Sequence, residues 1–308
     1  MKNIYQDQVE LLLHCLPTIA NIDSFALKGG TAINLFVRQD FPRLSVDIDL
    51  NYLPIEDRET TLIGIDRALI AIQTKLRQKI VNSNIIVHKN NMTKTVIKLM
   101  VERKGVLIKI EPNLILRGTV YPPTKVDLAK KVTEEYGVSV LNVPIVSKAD
   151  LYGGKICAAL DRQHPRDLFD VMLLLEEGIT ADIKIAFLVY LISHNRPMHE
   201  LLQPNRLDQL QAYYSEFVGM TNIPVSYKVL EETREKLIAT VNNILNKQDK
   251  DFLLSLKKGE PNWDHLGIKG IDKLPGVVWK LVNINKMDPE KREQALTNLE
   301  KALYANRF

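Results

Sequence analysis

The sequence predicts an α+β protein, with strands and helices mixed in the first half and a mainly helical second half. Three observations carry this. Apolar and polar side chains alternate over 45–52 and again over 106–111, the period of strands. Apolar residues recur at helical spacing over 4–19, 31–38 and 55–80. After Asn142-Val143-Pro144-Ile145-Val146 the strand patterns fade and helical ones run on. A boundary near 145 follows, giving a core domain over 1–145 and a helical domain over 146–308. A length of 308 residues suits two domains.

Each element has its own signal. Over 4–19, Leu11, Leu12, Cys15 and Leu16 fall near one face of a helix. Phe25-Ala26-Leu27 is a short apolar run that meets Gly29-Gly30. Ala32, Ile33, Leu35 and Phe36 suit a buried helix over 31–38, which Phe41-Pro42-Arg43-Leu44 breaks. In the strand 45–52, Val46, Ile48 and Leu50 point one way and Ser45, Asp47, Asp49 and Asn51 the other. A long helix is expected over 55–80. Strands over 84–88, 93–102 and 106–111 follow, the last two joined by Arg103-Lys104-Gly105 as an antiparallel hairpin. No internal repeat or low-complexity segment is visible.

Composition narrows the class. Hydrophobic residues are 45% and charged residues 25% of the chain, as in globular proteins. No apolar run reaches the roughly 18–20 residues of a membrane span. The stretch Met1 to Asp7 lacks the apolar core and cleavage site of a secretory leader. The two cysteines, Cys15 and Cys157, lie in apolar helical patterns and read as buried free thiols. A cytoplasmic chain is the expectation. The net charge of +4 is compatible with a polyanionic partner without requiring one.

The chemistry centres on "GGTAINLFVRQDFPRLSVDIDL", residues 29–50. On a strand, Asp47 and Asp49 share a side, roughly 6–7 Å apart. Two carboxylates held so closely repel, and are tolerated where solvent screens them or a divalent cation lies between them. A bare pair of this kind is also a solvated strand face. Gly29-Gly30-Thr31 lets the backbone approach a ligand and opens a helix whose free N–H groups suit phosphate. It reads equally as a tight turn with a capping threonine. Together the two pieces describe a phosphate cradle beside a metal platform. A third carboxylate from a neighbouring strand completes such a site, and Glu111 is placed for it, on the polar face with Lys109. Arg43 could neutralise a triphosphate and Ser45 could order the loop, or both could be structural.

A second cluster is "SKADLYGGKICAALDRQHPRDLFDVMLLLEEG", residues 147–178. Ser147 and Asp150 have the spacing of a capping box. Pro165 suits the first turn of a second helix and Gly178 its end. Leu168, Val171, Met172 and Leu175 form the expected core stripe, with Asp167 and Asp170 off it. Arg–Asp pairs here would brace two helices, which suits Asp170. Lys155 and Asp167 are functional candidates. His194, His199 and His265 show no metal-ligand spacing. Tyr213, Tyr214 and Trp279 are expected in the core, with acceptor contacts as the other reading.

These stretches, "GGTAINLFVR…RLSVDIDL", "IKIEP" and "KICAALDRQHPRDLFDVMLL", together resemble the AbiEii/AbiGii toxin family of the DNA polymerase β-like nucleotidyltransferase superfamily. The resemblance covers roughly residues 25–178, and "GVVWKLVNINKM" at 276–287 also resembles the C-terminal part of members. It implies a nucleotidyltransferase fold, a small mixed β-sheet flanked by helices, followed by a mainly helical domain. It implies a toxin of a toxin–antitoxin pair, often tied to phage defence, which transfers a nucleotide from an NTP, in some members to tRNA. Residue by residue, Gly30 and Thr31 match the glycine/serine motif, and Asp47 and Asp49 the metal-binding pair. Glu111 lies where the third carboxylate falls. Lys155 matches the lysine of the third motif and Asp167 the aspartate of the arginine–aspartate motif.

The expected activity is therefore a magnesium-dependent nucleotidyl transfer, manganese being the other cation. NTP is the substrate, an RNA (tRNA foremost) the acceptor, and an antitoxin the cognate partner. Asp47, Asp49 and Glu111 would hold metal. Gly29, Gly30, Thr31, Arg43 and Ser45 would bind nucleotide, while Lys155 and Asp167 would support the reaction. The other readings are a small-molecule or protein-hydroxyl acceptor, a nucleotide-binding regulator without transfer, and a structural protein.

Overall fold

A computed structural model describes residues 4–304, so that Met1–Asn3, part of the stretch read for a leader, lie outside the described residues. The chain forms two compact units. The first runs to Leu151 and includes Val218–Pro224; the second holds Tyr152–Phe217 and everything from Val225 onward. The divide falls inside a helix, and seven residues from late in the chain belong to the first unit.

The first unit is built on one sheet. Its elements are α1 (Ile4–Ile19), β1 (Phe25–Lys28), α2 (Gly29–Ala32), β2 (Asp47–Tyr52), α3 (Arg58–Lys79), β3 (Ser83–Lys89), β4 (Val96–Arg103), β5 (Val106–Pro112), β6 (Thr124–Val126), α4 (Lys130–Tyr136) and β7 (Val143–Ile145). The strand order is β3-β4-β5-β2-β1-β7-β6. β2 runs parallel to β5, and β1 parallel to β7, while the other neighbours are antiparallel. The sheet is thus mixed, and with seven strands larger than the sequence suggests. Ile48 and Leu50 of β2, Leu99 and Val101 of β4 and Ile108 and Ile110 of β5 are buried. They form the apolar face, and α1 packs on β5 and α3 on β4. The alternate residues, Asp47, Asp49, Lys109 and Glu111, occupy the opposite face, because successive strand side chains change sides.

Two local expectations change. The helix expected over 31–38 begins at Gly29 and passes from α2 into a π-helical turn over Ile33–Val37. Ser147 does cap the next helix, its Oγ accepting from the Asp150 N–H at 3.0 Å. The Asp150 carboxylate instead accepts from the Val120 and Tyr121 N–H groups, at 2.8 and 3.0 Å, tying the helix start to the 120–121 loop.

The second unit is helical. Its elements are α5 (Lys148–Arg162, from Tyr152 on), α6 (Pro165–Glu177), α7 (Ala181–Ser193), α8 (Met198–Leu202), α9 (Leu210–Glu216), α10 (Tyr227–Ile244), α11 (Lys247–Lys258), α12 (Pro275–Asn285) and α13 (Pro289–Tyr304). α7 is apolar nearly all round and buried from Ala186 to Ser193, the mark of a central helix. A side chain at Gly153 would strike the α7 backbone at Phe187 N, 2.7 Å away, so α5 and α7 meet closely. Pro165 begins α6 and Gly178 ends it, as the sequence predicts.

The sequence misplaces several side chains here. Asp167 and Asp170 are buried rather than off the core stripe, and Leu174 replaces Met172 and Leu175 in it. Trp279 and Tyr214 are 59% and 68% exposed, so neither is a core residue. Cys15 and Cys157 are buried free thiols as expected. Burial pushes the Cys15 thiol up to about 12, which leaves it inert at neutral pH. Among the described residues no helix is long and apolar enough to cross a membrane.

Candidate active site

The double glycine sits where two strands leave no room for a side chain. Gly29 has φ 73, a left-handed conformation that glycine adopts without steric cost. A Cβ there would also collide with Asp49 Oδ2. A Cβ on Gly30 would lie 2.5 Å from Arg43 Nη2 and 3.0 Å from Ser45 Oγ. Both glycines therefore let the turn after β1 press against the carboxylate strand and the loop leading to it.

Hydroxyls and an amide fix that contact. Thr31 Oγ1 donates to the Asp47 carbonyl at 2.5 Å and lies 3.0 Å from Ser45 Oγ. Asn34 Nδ2 donates to the Gly30 carbonyl at 3.0 Å. Thr31, Asn34, Arg43 and Ser45 are all buried. Arg43 Nη1 donates to the Leu44 carbonyl at 2.8 Å. Thr31 and Ser45 thus lock the turn to the start of β2, and Arg43 stiffens the loop from within.

Register supplies the rest. Along β2, Asp47 pairs with Lys109 and Asp49 with Glu111 across the parallel β2–β5 ladder. Glu111 therefore stands beside Asp49 on the same face. On the other side Lys28, at the end of β1, is opposite Asp49. Lys28 is a site neighbour the sequence reasoning passed over, although it directly precedes Gly29. Among the described residues no three His, Cys, Asp or Glu side chains converge as a ready-made metal cage. A hard divalent cation suits the donors present nonetheless: oxygen ligands from partly exposed carboxylates, the Asp49 carboxylate lying against a glycine turn whose Cβ its oxygen excludes. Magnesium takes one or two carboxylates and completes its shell with water and phosphate oxygens.

A strap from late in the chain holds the loop before the aspartates. The Leu44 N–H donates to the Met220 carbonyl at 2.7 Å, and the Asn222 N–H to the Pro42 carbonyl at 3.3 Å. Asn222 Nδ2 donates to the Phe41 carbonyl at 2.8 Å, and Arg43 bridges Thr221 as a strand pair. Phe41 itself has φ 47, a conformation non-glycine residues keep only when their surroundings hold it. No local sequence signal announces this strap.

Of the second cluster, Lys155, Arg162, Asp167 and Asp170 lie within the helical unit. Lys155 Nζ on α5 is 2.9 Å from Asp167 Oδ1 and 3.0 Å from Asp170 Oδ2 on α6. Arg162 Nη2 lies 2.8 Å from Asp167 Oδ2, its side chain 61% exposed. Burial works against a charged Asp167, but the Lys155 ammonium and then the Arg162 guanidinium outweigh it and hold the carboxyl far below the usual range. This is a buried, ion-paired knot joining two helices. The structure so groups Gly29, Gly30, Thr31, Arg43, Ser45, Asp47, Asp49 and Glu111 in the first unit, and Lys155 and Asp167 in the second. A cleft of about 410 Å³ in the second unit, lined in part by Arg196, Glu200, Asn298 and Lys301, contains none of them. His265 Nε2 bonds Asp249 Oδ1 at 2.9 Å, an ordinary structural histidine.

A mixed sheet with paired aspartates beside a glycine turn, in a chain with a helical second unit, is the arrangement expected of a nucleotidyltransferase. The family model described as nucleotidyl transferase AbiEii toxin, type IV toxin–antitoxin system, matches residues 10–265, and the chain belongs to that family. Its fold is similar to that of MenT4, a nucleotidyltransferase toxin of Mycobacterium tuberculosis H37Rv. The TM-score is 0.62 and the identity 14%, with 96% of this chain and 93% of that one covered. JHP933 of Helicobacter pylori aligns at TM-score 0.43 and 17% identity, over 84% of this chain and 98% of that one. No curated protein matches the chain.

Proposed function

We propose that this toxin transfers a nucleoside monophosphate from an NTP to an RNA acceptor, the tRNA 3′ end foremost. The observation that carries the reading is the Asp47–Asp49 pair, with Glu111 in register beside Asp49 and the Gly29-Gly30 turn pressed against it. The net charge of +4 suits a polyanionic acceptor.

In this reading the acceptor hydroxyl oxygen attacks the α-phosphorus. An O–P bond forms, the bond to the bridging oxygen breaks, and pyrophosphate leaves. Gly29 and Gly30 bring bare backbone to the phosphates. Thr31, Ser45 and Arg43 act from behind, holding that turn and loop on the strand. Glu111 takes the proton of the attacking hydroxyl. Asp47, Asp49 and Glu111 would hold the divalent ion, magnesium or manganese, which when bound neutralises phosphate charge and favours the ionised nucleophile. Lys155 and Asp167 are assigned to the same reaction through the family motif. Their buried pairing supports a role in holding α5 and α6 for the acceptor. The cognate antitoxin is the partner that limits this activity in the cell, which we place in the cytoplasm.

The test is transfer itself. The protein is incubated with magnesium, each α-labelled NTP in turn and total tRNA, beside the Asp47→Ala/Asp49→Ala variant. Label on tRNA with the parent alone is expected and names the nucleotide. Label on the protein or a small molecule instead of RNA would overturn the acceptor.

A further inference from the structure

The polar face of the sheet carries a row of four charges across four adjacent strands. Lys28 on β1 is opposite Asp49 on β2, and Asp49 is in register with Glu111 on β5. Lys98, at the start of β4, closes the row, its Nζ 3.1 Å from Glu111 Oε2. The antiparallel β4–β5 ladder makes this pairing local, since Leu99 is opposite Ile110 and Met100 opposite Lys109. Asp49 and Glu111 thus lie between two lysines in the row, and Lys98 is ion-paired with Glu111 before any cation arrives.

We propose that Lys98 is a positioning residue that serves as the resident counter-charge of Glu111 and thereby sets how tightly the carboxylate site takes a divalent cation. The inference rests on the reading of Asp47, Asp49 and Glu111 as that site. The pair uses Oε2 and leaves Oε1 outside it, so an oxygen remains for a cation or a proton. A dication entering beside Asp49 meets a carboxylate already neutralised by Lys98 and must share it. Removing Lys98 removes that competition. The Lys98 and Glu111 side chains are 26% and 50% exposed. Solvent therefore screens the pair, and its effect on affinity is limited to a factor of about two to five.

The test reads manganese binding to the full chain by calorimetry, with thermal unfolding as a check of fold. Lys98→Met is expected to bind Mn²⁺ about two- to fivefold tighter than the parent, with Lys98→Gln alike and Lys98→Arg at the parental value. In a Glu111→Gln background, Lys98→Met is expected to change nothing. A merely structural lysine would shift the unfolding temperature and leave this pattern out. Parental or weaker Mn²⁺ binding by both neutral variants, or equal tightening with and without Glu111, would overturn the proposal while the carboxylate site stands. Parental Mn²⁺ binding retained by Asp47→Asn/Asp49→Asn would overturn the site reading itself, and this proposal with it.

Discussion

Lys155 Nζ lies 2.9 Å from Asp167 Oδ1, with side chains only 7% and 4% exposed, and Asp170 supplies a second carboxylate at 3.0 Å. A buried ion pair is weak evidence for stability, yet breaking it is costly because a charge is left uncompensated. Lys155→Met should therefore destabilise the protein by about 3–5 kcal/mol in urea unfolding. The triple variant with Asp167→Asn and Asp170→Asn should recover much of that loss. Asp167 is held ionised in the fold, so its contribution is complete above its unfolded value of 3.8. It is lost only as pH falls below that toward the depressed folded value.

Gly29 is fixed by its positive φ and by Asp49 together. Gly29→Ala should lose about 1–2 kcal/mol of stability from the left-handed backbone alone. The methyl group should also displace the Asp49 carboxylate and weaken Mn²⁺ binding. Calorimetry and thermal unfolding on one preparation check both effects; a stable variant with parental Mn²⁺ affinity would contradict the close contact.

The strap residue Asn222 joins the Phe41 carbonyl through its side chain at 2.8 Å. Asn222→Ala removes one neutral hydrogen bond, worth about 1 kcal/mol. It should loosen the loop that carries Arg43 and Ser45. The expected kinetic result is a raised KM for NTP with kcat reduced less. An unchanged KM would show that the loop keeps its shape without the strap.

His164 caps the helix that carries Asp167, its Nδ1 accepting from the Arg166 N–H at 3.2 Å. That bond needs a neutral ring, and burial and then the Arg166 charge push the His164 pKa below 6.5. Between the folded value and 6.5 the unfolded chain binds more protons. Stability from this group is therefore complete above 6.5 and lost as pH falls through the folded value. His164→Asn keeps a capping side chain that does not titrate. Urea unfolding from pH 7 to pH 5 should show a flatter decline in the variant; identical slopes would rule out the titrating cap.

Much of this was legible in the sequence where a local rule decides. The alternation of Val46, Ile48 and Leu50 gave β2, and Pro165 and Gly178 bounded α6, because period and terminus chemistry are written in neighbouring residues. What stayed hidden depends on contacts far along the chain. β6 and β7 are three-residue strands, too short to show a period. Asp167 and Asp170 look exposed by residue type and are buried only because Lys155 meets them. Asn222 reaches Phe41 across 181 residues, with no local pattern to mark it. Of the site, the spacing of Asp47 and Asp49 was visible, but the registers that set Glu111, Lys28 and Lys98 beside them emerge only once strands are ordered.

In the proposed reaction the Asp47–Asp49 pair is the reaction centre. Its most direct test is pyrophosphate release from NTP in the presence of acceptor RNA, comparing the parent with Asp47→Asn and Asp49→Asn under matched fold. These substitutions keep shape and remove charge. A loss of at least about a hundredfold is expected in each, on the order of what removing one electrostatic stabiliser of a transition state costs. Release within about tenfold of the parent in either variant, a loss of no more than about 1.4 kcal/mol, would contradict it.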